Sequence, residues 1–114
     1  MRRSEIVLIA DAIAAAESIG AIVSGSAEEE YLATRMLRSA VERELLIIGE
    51  ALDALDGITP DARARVTHLG RVIGLRNRLA HAYDLIDDVM VWAIAREDIP
   101  SLLAELRRWL AELR

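Results

Sequence analysis

The 114-residue sequence has no cysteine, no lysine and no phenylalanine, and only two prolines. Without cysteine there is no disulfide framework and no thiolate metal site. Aromatic residues are scarce, two Trp and two Tyr, whereas 54% of the chain is hydrophobic. The core must therefore be built from Leu, Ile, Val and Ala, a composition that suits helices packed closely through small side chains. No stretch alternates apolar and polar residues with the period of a strand, none repeats, and none is of low complexity. No run is expected to span a membrane, because Asp11 and Glu17 interrupt the apolar opening stretch, and no cleavage site follows it. The expected location is cytoplasmic. All 14 basic residues are Arg, set against 19 acidic ones, for a net charge of −5. That balance excludes a general nucleic-acid binder; no DNA partner is expected, and any contact with RNA has to be local.

What is present is helix, and residues 1–114 read as one domain of all-α class, about four long helices with short pieces. Ile6, Ile9, Ala10, Ile13, Ala16 and Ile19 form the stripe of a first helix over 4–23. Ser24-Gly25-Ser26 stops it, and Ser26 with Glu29 reads as the capping box of the next. That second helix is predicted to run unbroken from Ala27 to Leu55, with Leu37, Val41, Leu45, Ile48, Leu52 and Leu55 facing inward, and to end at Asp56-Gly57. Thr59-Pro60 caps a short helix over 61–66. A further helix passes through Leu69, Val72, Ile73, Arg76, Leu79 and Ala80, followed by a turn at 83–86. Asp87 caps a helix over 88–95, and Asp98 caps the last, whose stripe is Leu102, Leu103, Leu106, Trp109, Leu110 and Leu113. Trp92 and Trp109 are expected in the core or at a dimer seam. So short and apolar a chain often dimerises to cover its remaining apolar faces.

The side chains that can do chemistry gather in Gly74-Leu75-Arg76-Asn77-Arg78-Leu79-Ala80-His81-Ala82-Tyr83-Asp84. Arg–His spacing alone says little, since about one residue in eight is Arg, and Arg63 and His68 repeat the spacing of Arg76 and His81. Context separates the two: Asn77 and Tyr83 accompany the second pair, whereas Gly70 stands where a Tyr would follow His68. On an ideal helix Arg76 and His81 lie about 140° apart. They converge on one small group only if the helix bends or ends near His81, or if a twofold-related copy completes the site. The set suits metal-independent RNA cleavage by attack of a 2′-hydroxyl on the adjacent phosphorus. His81 would serve as general base or acid, and Arg76 would hold the phosphate and its developing charge. Asn77 would orient His81 or touch RNA, Arg78 would add positive potential, and Tyr83 would stack on a base or bond a phosphate. Taken singly, the same residues also fit a helix-end histidine, surface arginines paired with Asp84 or glutamates, a solvent-facing Asn and a core-edge Tyr. Glu42 and Glu50 lie about 80° apart in projection, but the Glu-x-x-His of a carboxylate-bridged metal site is missing, so no metal is expected.

The segment Ala40-Val41-Glu42-Arg43-Glu44-Leu45-Leu46-Ile47-Ile48-Gly49-Glu50-Ala51 ends in I-I-G-E-A, Gly74 to His81 reads G-x-R-N-x-x-x-H, and Val91-Trp92 with Asp98-Ile99-Pro100 reads V-W…D-x-P. Together these resemble the HepT-like toxins of the HEPN domain class, from about Tyr31 onward. Ala82 and Asp84 depart from the glycine and the aromatic common there. The resemblance implies a HEPN helical bundle, a homodimer with Arg76 and His81 at its interface, and endoribonuclease activity that is toxic when unchecked. It also implies an antitoxin partner of the minimal nucleotidyltransferase (MNT) type, which transfers AMP from ATP onto the motif tyrosine, here Tyr83. No cofactor is implied. Adenylylation would place bulk and a negative phosphate where RNA phosphate should sit. The alternative from another class is a noncatalytic HEPN module that binds nucleotide or scaffolds a nucleotidyltransferase.

Overall fold

Apolar side chains recurring every three or four residues give, among the described residues, four long α-helices and three short ones. The computed structural model describes residues 2–81 and 86–114. The elements are α1 (Arg2–Ser24), α2 (Glu28–Ala33), α3 (Arg35–Ile58), α4 (Asp61–Arg65), α5 (Leu69–His81), α6 (Asp88–Ala93) and α7 (Ile99–Leu113), with a π-helical turn at Ile94–Asp98 joining the last two. The chain is all-α, and no strand occurs among the described residues. The expected turn at 83–86 falls largely outside them.

The core lies where α1, α3 and α7 meet. Ala12 and Ala16 of α1 are fully buried between Ile9 and Ile19, so α1 approaches its neighbours closely. Ile6, Ala10 and Ile13, expected on the same stripe, are only half-buried: the buried face is rotated toward Ala12 and Ala15. α3 contributes Val41, Leu45, Ile48, Leu52 and Leu55 as its spacing predicts, with Leu37 packed at the edge. α7 contributes Leu102, Leu106 and Trp109. Contrary to the sequence expectation, α1 is long and apolar enough, by length and composition, to cross a membrane. Asp11 and Glu17 do not interrupt it because both lie on its exposed face, Glu17 bonded at 2.8 Å to Arg107 of α7. In this fold, the opposite stripe of α1 is buried against α3 and α7.

Several boundaries differ from those read in the sequence. The long helix expected over 27–55 breaks at Thr34, whose backbone is extended (φ −113°, ψ 104°). The break redirects α2 so that Tyr31 is buried against Trp92, ring centroids 5.1 Å apart, and Arg38 Nη1 donates to the freed carbonyl of Leu32 at 2.6 Å. Ser26 does not cap α2. Its N–H bonds back to Val23 O, Ala27 takes the cap position, and the first intrahelical bond runs from Tyr31 N to Ala27 O. Glu28, Glu29 and Glu30 still occupy the first turn, where the helix dipole favours them. α3 runs through Asp56-Gly57 and one residue past it, to Ile58. Thr59 accepts the Asp61 N–H at 3.1 Å, as its capping role requires. Asp87 caps α6 by accepting from Val89 N and Met90 N. Asp98, by contrast, makes no cap bond, because the chain never leaves helical geometry there. α6 passes through the π turn directly into α7, and that irregular turn absorbs the missing N–H of Pro100.

Candidate active site

α5 contains Arg71, Arg76, Arg78 and His81 and no carboxylate, a local concentration of positive charge in an acidic chain. Arg78 and His81 stand in its last turn, where the helix dipole favours cations. The described part of the helix runs to His81, whose side chain is exposed. Tyr83, the expected stacking and modification residue, and Asp84 lie outside the described residues.

Arg76 is held by both a neighbouring helix and a neighbouring side chain. It sits where α5 presses on α3, opposite the buried Gly49. Its Nη1 donates to Asn77 Oδ1 at 2.9 Å, and its Nε is buried with no hydrogen-bond acceptor among the described residues. Asn77 is therefore engaged with Arg76 through its carbonyl oxygen, which leaves its amide nitrogen for other contacts. None of the four ion pairs found among the described residues includes Arg76, Arg78 or His81. The carboxylate pairing that would make these arginines ordinary surface charges is thus not seen there.

The motif divides between two faces. Arg76 turns toward α3, whereas Arg71 and Arg78 flank a half-open groove of about 910 Å³ between α5 and the α6–α7 segment. Its floor is apolar, with Leu45, Val72, Leu75, Ile94 and Leu102, and Asp98 and Glu105 stand on the far side. His68 lines the groove mouth while its backbone carbonyl accepts from Arg71 N and Val72 N at the start of α5, a structural task consistent with its reading outside the motif. The groove was not foreseen. It exists because α5 packs chiefly on α3 and makes no comparable contact with α7, which periodicity along one helix does not reveal.

A second polar cluster joins α2, α3 and α6. Arg38 pairs with Asp88 at 3.7 Å. Burial, and then the charge of Asp88, raises the Glu42 carboxyl above its usual value, opposed by Arg38. Burial, with Glu42 and Asp88 nearby, likewise holds the Tyr31 hydroxyl well above its usual range, and that hydroxyl has no partner among the described residues. No group of three or more potential metal ligands occurs among the described residues, and Glu50 is exposed on α3.

A sequence model of the family described as Ribonuclease HepT-like matches residues 12–109. The chain is 37% identical over 79 residues to "Putative RNase MJ1380" of Methanocaldococcus jannaschii, covering 68% of this chain and 70% of that protein. It is 31% identical over 87 residues to "Putative RNase MJ0125" of the same organism, covering 75% and 72%. It is 30% identical over 112 residues to "Probable ribonuclease HepT" of Thermococcus cleftensis, covering 95% and 97%. No solved structure matches at a comparable level. With an all-helical fold and an arginine- and histidine-bearing α5 inside the matched span, the chain belongs to the HepT-like ribonuclease family and is an endoribonuclease.

Proposed function

We propose that this chain is the RNA-cleaving toxin of a HEPN/MNT toxin–antitoxin pair, with Arg76 and His81 as its catalytic residues. The observation that carries this reading is the treatment of Arg76: its stem is pressed against α3, its Nη1 is held by Asn77, and no described carboxylate neutralises it. A guanidinium fixed in this way is prepared to receive a phosphate through Nη2 and to stabilise the charge that grows there.

The reaction is attack of a ribose 2′-hydroxyl on the adjacent phosphorus. The P–O5′ bond breaks, giving a 2′,3′-cyclic phosphate and a 5′-hydroxyl. One imidazole takes the 2′-hydroxyl proton and another protonates the leaving 5′-oxygen. Each chain supplies one His81, so a homodimer with α5 near its twofold axis provides both, and two Arg76 side chains with them. Arg78 and the Asn77 amide contact RNA nearby, and Tyr83 stacks on a base. In this reading residues 1–114 are one HEPN unit acting in the cytoplasm, and a minimal nucleotidyltransferase silences it by adenylylating Tyr83.

The test is growth and total RNA after induction of the chain alone, wild type beside His81→Ala and Arg76→Ala. Arrest with RNA fragmentation in the wild type and neither in the variants is expected. Variants as toxic as the wild type contradict the assignment, and soluble, dimeric, harmless wild type that binds nucleotide favours the noncatalytic module instead.

A further inference from the structure

Glycine in a helix interior is unfavourable, yet α3 carries one at its buried centre. Gly49 does not have positive φ, so backbone conformation does not call for it. Space does. A Cβ built on Gly49 would overlap the Cβ of Arg76, lie 2.6 Å from its Cγ and 3.5 Å from its Cα. Gly20, Gly57, Gly70 and Gly74 also lie in helices, and a Cβ on any of them meets nothing within 4 Å. One helical glycine is thus required by contact, and what it contacts is the arginine of the motif.

We infer that Gly49 is a positioning residue for Arg76: by letting α3 and α5 touch there, it sets where the guanidinium stands. The inference rests on the proposed catalytic role of Arg76 and adds a part on another helix. The contact fixes the stem at Cβ and Cγ. Beyond it, Nε is buried and Nη1 is bonded to Asn77, so the side chain is restrained along its length and the Nη2 end is left for a phosphate. Adding a methyl group to Gly49 must push α5 outward or swing the Arg76 stem aside, because the atoms it meets belong to the root of the side chain rather than to its flexible end. A displacement on the order of 1 Å at a catalytic group can cost about 100-fold in rate.

The experiment measures cleavage of a mixed-sequence single-stranded RNA by the full chain, well below its melting temperature, for wild type, Gly49→Ala, Gly57→Ala and Arg76→Ala. Gly49→Ala is expected to remain folded and to lose kcat by about 100-fold with KM little changed, while Gly57→Ala, on the same helix, cleaves as wild type. Wild-type kcat in folded Gly49→Ala, an effect confined to KM, or an equal loss in Gly57→Ala overturns the inference. Arg76→Ala separates the two levels: full activity there removes the catalytic assignment itself, whereas an inactive Arg76→Ala beside a fully active Gly49→Ala removes only the role of Gly49. If Gly49→Ala does not fold, Gly49→Ala/Arg76→Gly decides: recovery of folding supports the contact, and continued failure overturns it. Independently of RNA, the buried Arg76 Nε–H should give a protected ¹⁵N resonance that Gly49→Ala shifts or exposes, and an unchanged resonance counts against the inference.

Discussion

The two sides of α3 are built differently. Toward α1 it contributes Val41, Ile48, Leu52 and Leu55 to a dense apolar core that includes the fully buried Ala12 and Ala16. Toward α5 it presents Gly49, against which the stem of an arginine is pressed, and beyond α5 an apolar groove stays half open. The first side buries hydrocarbon, the main favourable contribution to folding. The second spends its close packing on orienting a charged group. Stability and the proposed chemistry thus draw on adjoining sectors of one helix, and substitutions should separate them.

The largest separation is expected at His81. Because it is exposed at the end of α5, His81→Ala should leave the melting temperature near that of wild type and lower RNA cleavage by ~10²–10⁴-fold, measured as an initial rate on RNA. The converse is Trp109→Ala. Its side chain is 1% exposed in the α1–α7 core, so the substitution should cost about 3–5 kcal/mol in denaturant unfolding. Whatever fraction stays folded should retain its specific activity; selective loss of cleavage there would erase the contrast. A smaller effect is expected at Asp87, whose carboxylate caps α6 just after the motif: Asp87→Ala should cost ~1 kcal/mol in the same unfolding experiment.

The smallest effect concerns Glu42. Its carboxyl is raised in the folded protein, so the fold favours the protonated form. As pH rises through the carboxylate range, the unfolded chain releases this proton first. The contribution of Glu42 therefore declines until its raised folded value is passed, and it is restored on acidification. Glu42→Gln should remove that decline, flattening the stability–pH curve across the upper carboxylate range; an unchanged curve would place the cause elsewhere.

The helical architecture was legible because it rests on periodicity: α3 and α7 follow stripes visible in the chain, while α1 and α5 form as helices with buried faces rotated from the stripes read there. What escaped depends on contacts between distant segments. Nothing near Thr34 signals a break, since the break is favoured by Tyr31 finding Trp92 about sixty positions later and by Arg38 taking up a carbonyl. Asp98 has the chemistry of a cap but no helix start to serve, because α6 runs through the π turn into α7. At the site, Arg76, Asn77, Arg78 and His81 were readable as a motif, yet the bond from Arg76 to Asn77 and the glycine behind Arg76 were not. A glycine inside I-I-G-E-A carried the signal: an otherwise strong helix former was absent at an inward position. What it faced required the fold.

The most direct measurement is Arg76→Ala with cleavage rate and thermal unfolding read on the same preparation. Alanine keeps the Cβ that rests on Gly49 and removes only the guanidinium and its stem, so the α3–α5 seam should survive. The expected result is cleavage reduced by about 100-fold or more with unfolding close to wild type. Undiminished cleavage, or a loss that merely follows the loss of folded protein, would contradict the division of labour across α3.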